Sequence, residues 1–288
     1  MTPGVALRLG RVSNLPTVWT NTLAGVALAG ASPWQWATLP AALGLSLAYL
    51  GGMYLNDAFD RGIDARERPS RPIPSGAVDA NTVFALGFSL LLAAVAALLT
   101  AARGFDAAPG GVVLAGLALG GAIIGYNWRH KGNPLSPLAM GACRLLAYVA
   151  AGLAATAAMP GPLLAAAGVS LCYLIGLTYV AKREMLGRIG NLWPLLFLAA
   201  PLAYGLLLAN KATGQLVLLA LAGWIGVALW LLRRRRPGDI PRAVVSLIAG
   251  ISLVDALFLA VAGWPGAVVV AFACFAATLT LQRWISGT

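Results

Sequence analysis

Long apolar runs separated by short polar connections fill the chain from about position 15 onward. A helix that crosses a bilayer needs about 20 mostly apolar residues. Ten stretches approach that length: Leu15–Ala31, Trp36–Leu55, Asn81–Ala102, Gly110–Asn127, Leu138–Ala158, Pro162–Ala181, Leu192–Asn210, Gly214–Leu232, Ala243–Ala262 and Pro265–Trp284. The connections Ala158-Met159-Pro160-Gly161, Asn210-Lys211 and Gly263-Trp264 are turn-like and predict hairpins between neighbouring helices. The expected fold is all-α, a polytopic membrane bundle of about nine to ten transmembrane helices. No repeat of fixed period and no long polar block interrupts it, so residues 1–288 read as one membrane-embedded domain. Met1 to Arg11 lacks a signal-peptide pattern, and the first apolar stretch is expected to remain as a membrane helix.

Composition names the solvent. The chain is 60% hydrophobic and 10% charged, where a soluble domain carries roughly 25% charged residues. This much apolar surface calls for lipid around it. The net charge of +11 would suggest nucleic acid in a soluble protein. Here topology accounts for it, because Lys and Arg collect in cytoplasmic loops, and no nucleic-acid partner is expected. With a cytoplasmic N-terminus and ten crossings, seventeen of the 20 Lys and Arg residues fall on the cytoplasmic side. Arg103 and Lys211 fall opposite, and Arg144 lies inside a helix. The expectation is a multi-pass protein of the cell membrane in contact with membrane lipid. Cys143, Cys172 and Cys274 lie in apolar runs without metal spacing and read as buried free thiols.

One segment breaks the apolar pattern. Four of the nine acidic residues, Asp57, Asp60, Asp64 and Glu67, follow the second apolar run within eleven positions. On a helix Asn56, Asp60 and Asp64 share one face, and Asp57 lies within reach of it. Carboxylates that close repel one another unless a cation lies between them. Mg²⁺ prefers oxygen ligands and commonly shares them with substrate phosphates. The cluster therefore suits a metal–diphosphate site. It also reads as a solvated loop, since four arginines sit beside it to form internal ion pairs. Acids at the end of a membrane helix favour the first reading.

These residues carry a family likeness. Asn56-Asp57-x-x-Asp60-x-x-x-Asp64, with Arg71-Pro72-Ile73-Pro74-Ser75-Gly76 behind it, resembles the first signature of the UbiA family of membrane prenyltransferases. Arg11-Val-Ser-Asn14-Leu-Pro16, then Asn21 and Gly25, is similar to the family's N-terminal feature. Gly125-Tyr126-Asn127-Trp128-Arg129-His130-Lys131, then Asn133-Pro134, Gly141 and Arg144, resembles its Tyr-to-Lys segment. The resemblance implies helices around a central cavity, a prenyl diphosphate held through Mg²⁺, and transfer of the isoprenoid to an acceptor at the cytoplasmic face. The acceptor stays unknown. Asn56, Asp57, Asp60 and Asp64 become the expected metal ligands. The expected diphosphate contacts are Asn56, Arg71, Tyr126, Lys131, Arg144, Tyr179, Lys182 and Arg183. Asp57, Asp60, Asp64, Lys131 and Glu184 carry the expected chemistry.

The chain departs from the family where a second aspartate motif belongs. Thr178 to Arg188 contains no Asp, and Glu184 is its only carboxylate. Lys182 and Arg183 either neutralise diphosphate oxygens directly or belong to an ordinary positive-inside loop. The departure leaves a second Mg²⁺ open, and a non-catalytic scaffold stays an alternative. Asp255, in the middle of an apolar run, is the one residue that favours a transporter or flippase of a polar lipid. His130 reads as a surface side chain between basic neighbours. Arg233 to Arg236 read as a lipid-headgroup anchor. Pro194 and Pro201 are expected to kink their helix. Gly116, Gly120 and Gly121 are expected to permit close helix packing.

Overall fold

The computed structural model describes residues 1–184, 192–285 and 287, apart from the side chains of residues 183 and 184. Eleven helices follow one another among the described residues: α1 (Pro3–Leu9), α2 (Leu15–Leu28), α3 (Thr38–Glu67), α4 (Ala80–Gly104), α5 (Pro109–Arg129), α6 (Ser136–Ala155), α7 (Gly161–Glu184), α8 (Ala200–Leu208), α9 (Ala212–Arg234), α10 (Asp239–Val261) and α11 (Pro265–Leu281). Each of the ten apolar stretches has a helical counterpart. Seven of these, α3 to α7, α9 and α10, are long and apolar enough to cross a membrane. The other three are shorter. α2 has 14 residues, α11 has 17, and the stretch between them divides at Ala200 into a 3₁₀ segment, Trp193–Ala199, and α8. Pro194 and Pro201 each stand near the start of one half, where a missing N–H leaves no helix bond unmade. The expected kink is thus a change of helix type. The short α1, which carries too few apolar residues to register as a span, joins α2 through a 3₁₀ turn at Val12–Asn14.

α3 positions the chemistry. Its 30 residues extend about 45 Å at a rise of about 1.5 Å per residue, against a hydrocarbon core of about 30 Å. Its last turns therefore project past the apolar slab and carry the aspartates with them. Pro69 and the turn Arg71–Ala77 stop the helix. Asp79 starts the next by accepting the N–H of Thr82 at 3.0 Å.

α10 is the central helix, buried along most of its length and packed between α2, α7, α9 and α11. Its core cluster includes Leu247, Val254, Leu257 and Phe258 with Tyr148, Tyr173 and Leu221. A second cluster joins α3, α4, α5 and α6 through Leu45, Leu55, Leu98, Leu119 and Val149. Between the two lies a cavity. Close helix approach occurs at Gly25, where an added Cβ would meet Ala151 at 2.6 Å, and at Gly141, where it would meet the Leu171 carbonyl at 2.8 Å. Gly116 lies against Val95 and Leu98. The expectation fails for Gly120 and Gly121, which have nothing within 4 Å because they face outward.

Candidate active site

Asn56, Asp57, Asp60 and Asp64 lie on one face of α3 with 7%, 5%, 5% and 2% of their surface exposed. Three carboxylates so enclosed need cations or donors, since an unpaired buried charge is costly. Arg71, from the turn after α3, supplies Nη1 at 3.0 Å to both Asp57 and Asp64. Arg11 supplies Nη2 at 3.0 Å to both Asn56 Oδ1 and Asp57 Oδ1. Its backbone is left-handed, with φ at 41°, a conformation that costs a non-glycine residue about 1 kcal/mol or more. The Tyr49 hydroxyl donates to the Arg11 carbonyl at 3.1 Å and helps hold that turn. Asp60 points elsewhere, to His130 Nε2 at 3.3 Å and Lys131 Nζ at 3.5 Å. The Tyr126 ring stacks on His130 with centroids 4.9 Å apart. Asn127 fixes α5 against α3, donating to the Gly52 carbonyl at 2.9 Å and accepting from Asn56 Nδ2 at 3.0 Å.

These groups close one end of a cavity of about 360 Å³. Arg11, Asn56, Asp60, Arg68, Arg71, Tyr126, His130 and Lys131 line that end, while Leu45, Leu119, Ile123, Leu177, Ile248 and Ile251 supply apolar wall. The size is in the range of small-molecule sites, about 300–1,000 Å³. Deeper in, Arg144 of α6 and Asn21 of α2 reach the same cavity. Arg144 Nη2 pairs with Asp255 Oδ2 at 3.2 Å and donates to the Thr17 carbonyl at 2.7 Å. The hydroxyls of Tyr148 and Thr20 also donate to Asp255. The acid that favoured a transporter is thus enclosed and paired.

The structure brings Asn56, Asp60, Arg71, Tyr126, Lys131 and Arg144 together around this cavity, with Asp57 and Asp64 held behind its wall by the arginines. It does not bring Tyr179 or Lys182 there. Tyr179 packs with the core around α10. Lys182 Nζ donates to the Asn133 carbonyl at 2.7 Å and to Ser136 Oγ at 2.9 Å, so it ties α7 to the segment after α5. The side chains of Arg183 and Glu184 lie outside the described residues. His130 corrects the surface reading, since its ring is wedged between Tyr126 and Asp60. Arg11, Asn127 and His130 join the site without having been singled out for it. Their signal was membership of the same quoted segments as Asn14, Tyr126 and Lys131. The arginine run also gains a partner: Arg234 Nη2 pairs with buried Asp239 at 2.5 Å and locks the α9–α10 turn.

The donors bear on whether a cation belongs here. Among the described residues no three His, Cys, Asp or Glu side chains gather into a metal cage. The cavity wall offers Asp60 and Asn56 oxygens instead. That set fits Mg²⁺, which usually takes one or two carboxylates and completes its shell with water and substrate phosphates.

Known proteins share this fold. A solved structure concerned with digeranylgeranylglyceryl phosphate synthase in membranes superposes with a TM-score of 0.63 at 18% identity, covering 92% of this chain and 98% of that one, a likeness of fold. Digeranylgeranylglyceryl phosphate synthase of Methanopyrus kandleri is 33% identical over 132 residues, 45% of each chain. Chlorophyll synthase of Oryza sativa subsp. japonica is 35% identical over 120 residues, 38% of this chain and 30% of that one. The chain spans less than half the length of these curated relatives. The profile of the UbiA prenyltransferase family, by contrast, matches residues 17–251, from α2 through the aspartate face of α3 and both walls of the cavity, and the chain belongs to that family.

Proposed function

We propose that this multi-pass membrane protein is an intramembrane prenyltransferase, moving an isoprenoid chain from a prenyl diphosphate to an acceptor at the cytoplasmic face of the cell membrane. Residues 1–288 act as one domain in this reading. The observation that carries it is the two-sided cavity, with buried carboxylates and cations at one end and apolar wall beyond. The relatives are named for a glyceryl phosphate and for chlorophyll, so kinship leaves the acceptor open.

Arg11, Arg71 and Lys131 bind the diphosphate, because each presents its charge at the aspartate end. Asn56 and Asp60, on the cavity wall, would hold Mg²⁺, while Asp57 and Asp64 stand behind them, paired with Arg11 and Arg71. The ion would supply Lewis-acid stabilisation of the charge on the leaving group. Arg11 and Arg71 keep the neighbouring carboxylates paired, so the aspartates hold their geometry before substrate arrives. The C1–O bond breaks with its electron pair going to the diphosphate. The acceptor's nucleophile bonds to C1, and its proton passes to the departing diphosphate. Tyr126 offers a ring face to the allylic cation, and the apolar wall shields that cation from water.

The test is diphosphate release by protein reconstituted in lipid with labelled geranylgeranyl diphosphate, Mg²⁺ and candidate acceptors. Asp60→Ala and Asp64→Ala should each lower release on the order of 10²-fold, and EDTA should abolish it. Equal release by wild type and both variants defeats the enzyme reading. Release unaffected by EDTA defeats the Mg²⁺ part alone.

A further inference from the structure

Apart from the cations and carboxylates of the aspartate end, the cavity wall carries further polar atoms on α2 and α6. Asn21 is fully buried, lines the cavity, and has no hydrogen-bond partner among the described residues for either Oδ1 or Nδ2. Arg144, eight residues into α6 and so about 12 Å along the helix, lines the same wall with its Nε also buried and unpartnered. Buried polar groups are rarely left without partners, and each exception asks for an explanation. Asn21 offers one acceptor and one donor group side by side, the complement of a hydroxyl. Arg144 is matched one for one by Asp255, whereas at the aspartate end Arg11, Arg68, Arg71 and Lys131 outnumber Asp57, Asp60 and Asp64. Asp255 pairs with it at 3.2 Å and also accepts from Tyr148 and Thr20.

We infer that Asn21 and Arg144 form a subsite for the acceptor, and that Asp255 sets it for an uncharged, hydroxyl-bearing group over a carboxylate or phosphate. A guanidinium already paired with a buried carboxylate donates hydrogen bonds without offering net positive charge. An anion drawn to Arg144 would also approach Asp255 and leave the membrane interior with an unbalanced negative charge, where Coulomb repulsion is strong. A hydroxyl adds no charge and satisfies Asn21 in both senses. The cavity thereby sorts its two ligands: the anionic diphosphate goes to Arg11, Arg71 and Lys131, and the neutral acceptor to Asn21 and Arg144. Asp255 acts as a positioning residue, since it reaches the ligand only through Arg144.

This inference rests on the prenyl-transfer reading, and its test separates the two. Protein in lipid nanodiscs is first loaded with a non-hydrolysable geranylgeranyl thiolodiphosphate. It is then titrated with two pairs of probes that differ in charge: 4-hydroxybenzyl alcohol against 4-hydroxybenzoate, and 1-O-hexadecylglycerol against its phosphate. In wild type the neutral member of at least one pair should bind at least tenfold tighter than its anionic partner. Asp255→Asn should shift the ratio at least tenfold toward the anion, an effect that loosened packing would not produce. Asn21→Leu should weaken the neutral probe about tenfold. The double variant Arg144→Met, Asp255→Leu removes both charges, so no lone charge is left to prevent folding. It should lose the neutral probe to a similar extent. Equal or tighter anion binding by wild type, no binding of any probe, or a double variant that binds neutral probes like wild type overturns the subsite. If wild type fails to take the thiolodiphosphate itself, the prenyl-transfer reading falls and this inference with it.

Discussion

Arg71 bridges two carboxylates about two turns apart on α3, and for Asp64, 2% exposed, it is the one ion-pair partner among the described residues. Removing it strands a buried charge, and breaking a buried pair from one side costs on the order of 3 kcal/mol. Arg71→Ala should therefore lower thermal stability in detergent markedly and weaken thiolodiphosphate binding. Adding Asp64→Asn removes the stranded charge, so the double variant should recover most of the stability and none of the binding. An Arg71→Ala protein that unfolds at the wild-type temperature would contradict the bridge. The face that Arg71 reads was legible in the sequence because four-residue spacing on a helix is a local rule. Its distant partner Arg11 was not. Arg11 lies 46 residues from Asp57, and Asp255 lies 111 from Arg144, and no periodicity connects positions so far apart. His130 looked like surface because its sequence neighbours are basic, whereas its spatial neighbours are Tyr126 and Asp60.

At the scale of the element, the site depends on how closely the helices that carry it approach. α2 bears Asn21 and Thr20, α6 bears Arg144 and Tyr148, and Gly25 is where the two helices touch. Any side chain at Gly25 meets Ala151 well inside contact distance. Gly25→Val should cost about 1–3 kcal/mol by overpacking and part α2 from α6. Gly121→Val, facing open space, should leave the melting temperature close to that of wild type. Thermal unfolding of both in the same micelles checks the pair, and an equal loss at the two positions would refute the contact. Glycine content alone forecasts close packing in general and cannot say at which glycine. Gly120 and Gly121 failed that forecast and Gly116 met it, while Gly25 and Gly141, not named for it, make the closest of these contacts, because the contact depends on which way each helix is turned. Helix existence, in contrast, followed from length and apolarity. The shortfalls came at α2, α8 and α11, which are shorter than the apolar runs that contain them.

At the scale of the whole molecule, the arrangement has a direction. α3 to α7 alternate through the bundle, so the turn after α3 and the segment after α5 share one end with the end of α7, and Lys182 bonded to Asn133 joins two of these connections. The α6–α7 connection lies at the other end. The charge asymmetry, with Lys and Arg concentrated on the first end, predicts that this end faces the cytoplasm. The prenyl-transfer reading needs the same orientation, since a diphosphate is too polar to cross the hydrocarbon and must enter where Arg11, Arg71 and Lys131 can meet it. Orientation is measurable without any substrate. In a background free of Cys143, Cys172 and Cys274, a single cysteine at exposed Ser70 marks the aspartate end, and one at exposed Ala158 marks the other. An impermeant maleimide applied to intact cells should label Ala158→Cys at once and Ser70→Cys only after the membrane is opened. The reverse pattern would place the diphosphate end outside the cell. It would then remove the cytoplasmic supply of substrate on which the proposed transfer depends, while leaving the geometry of the cavity untouched.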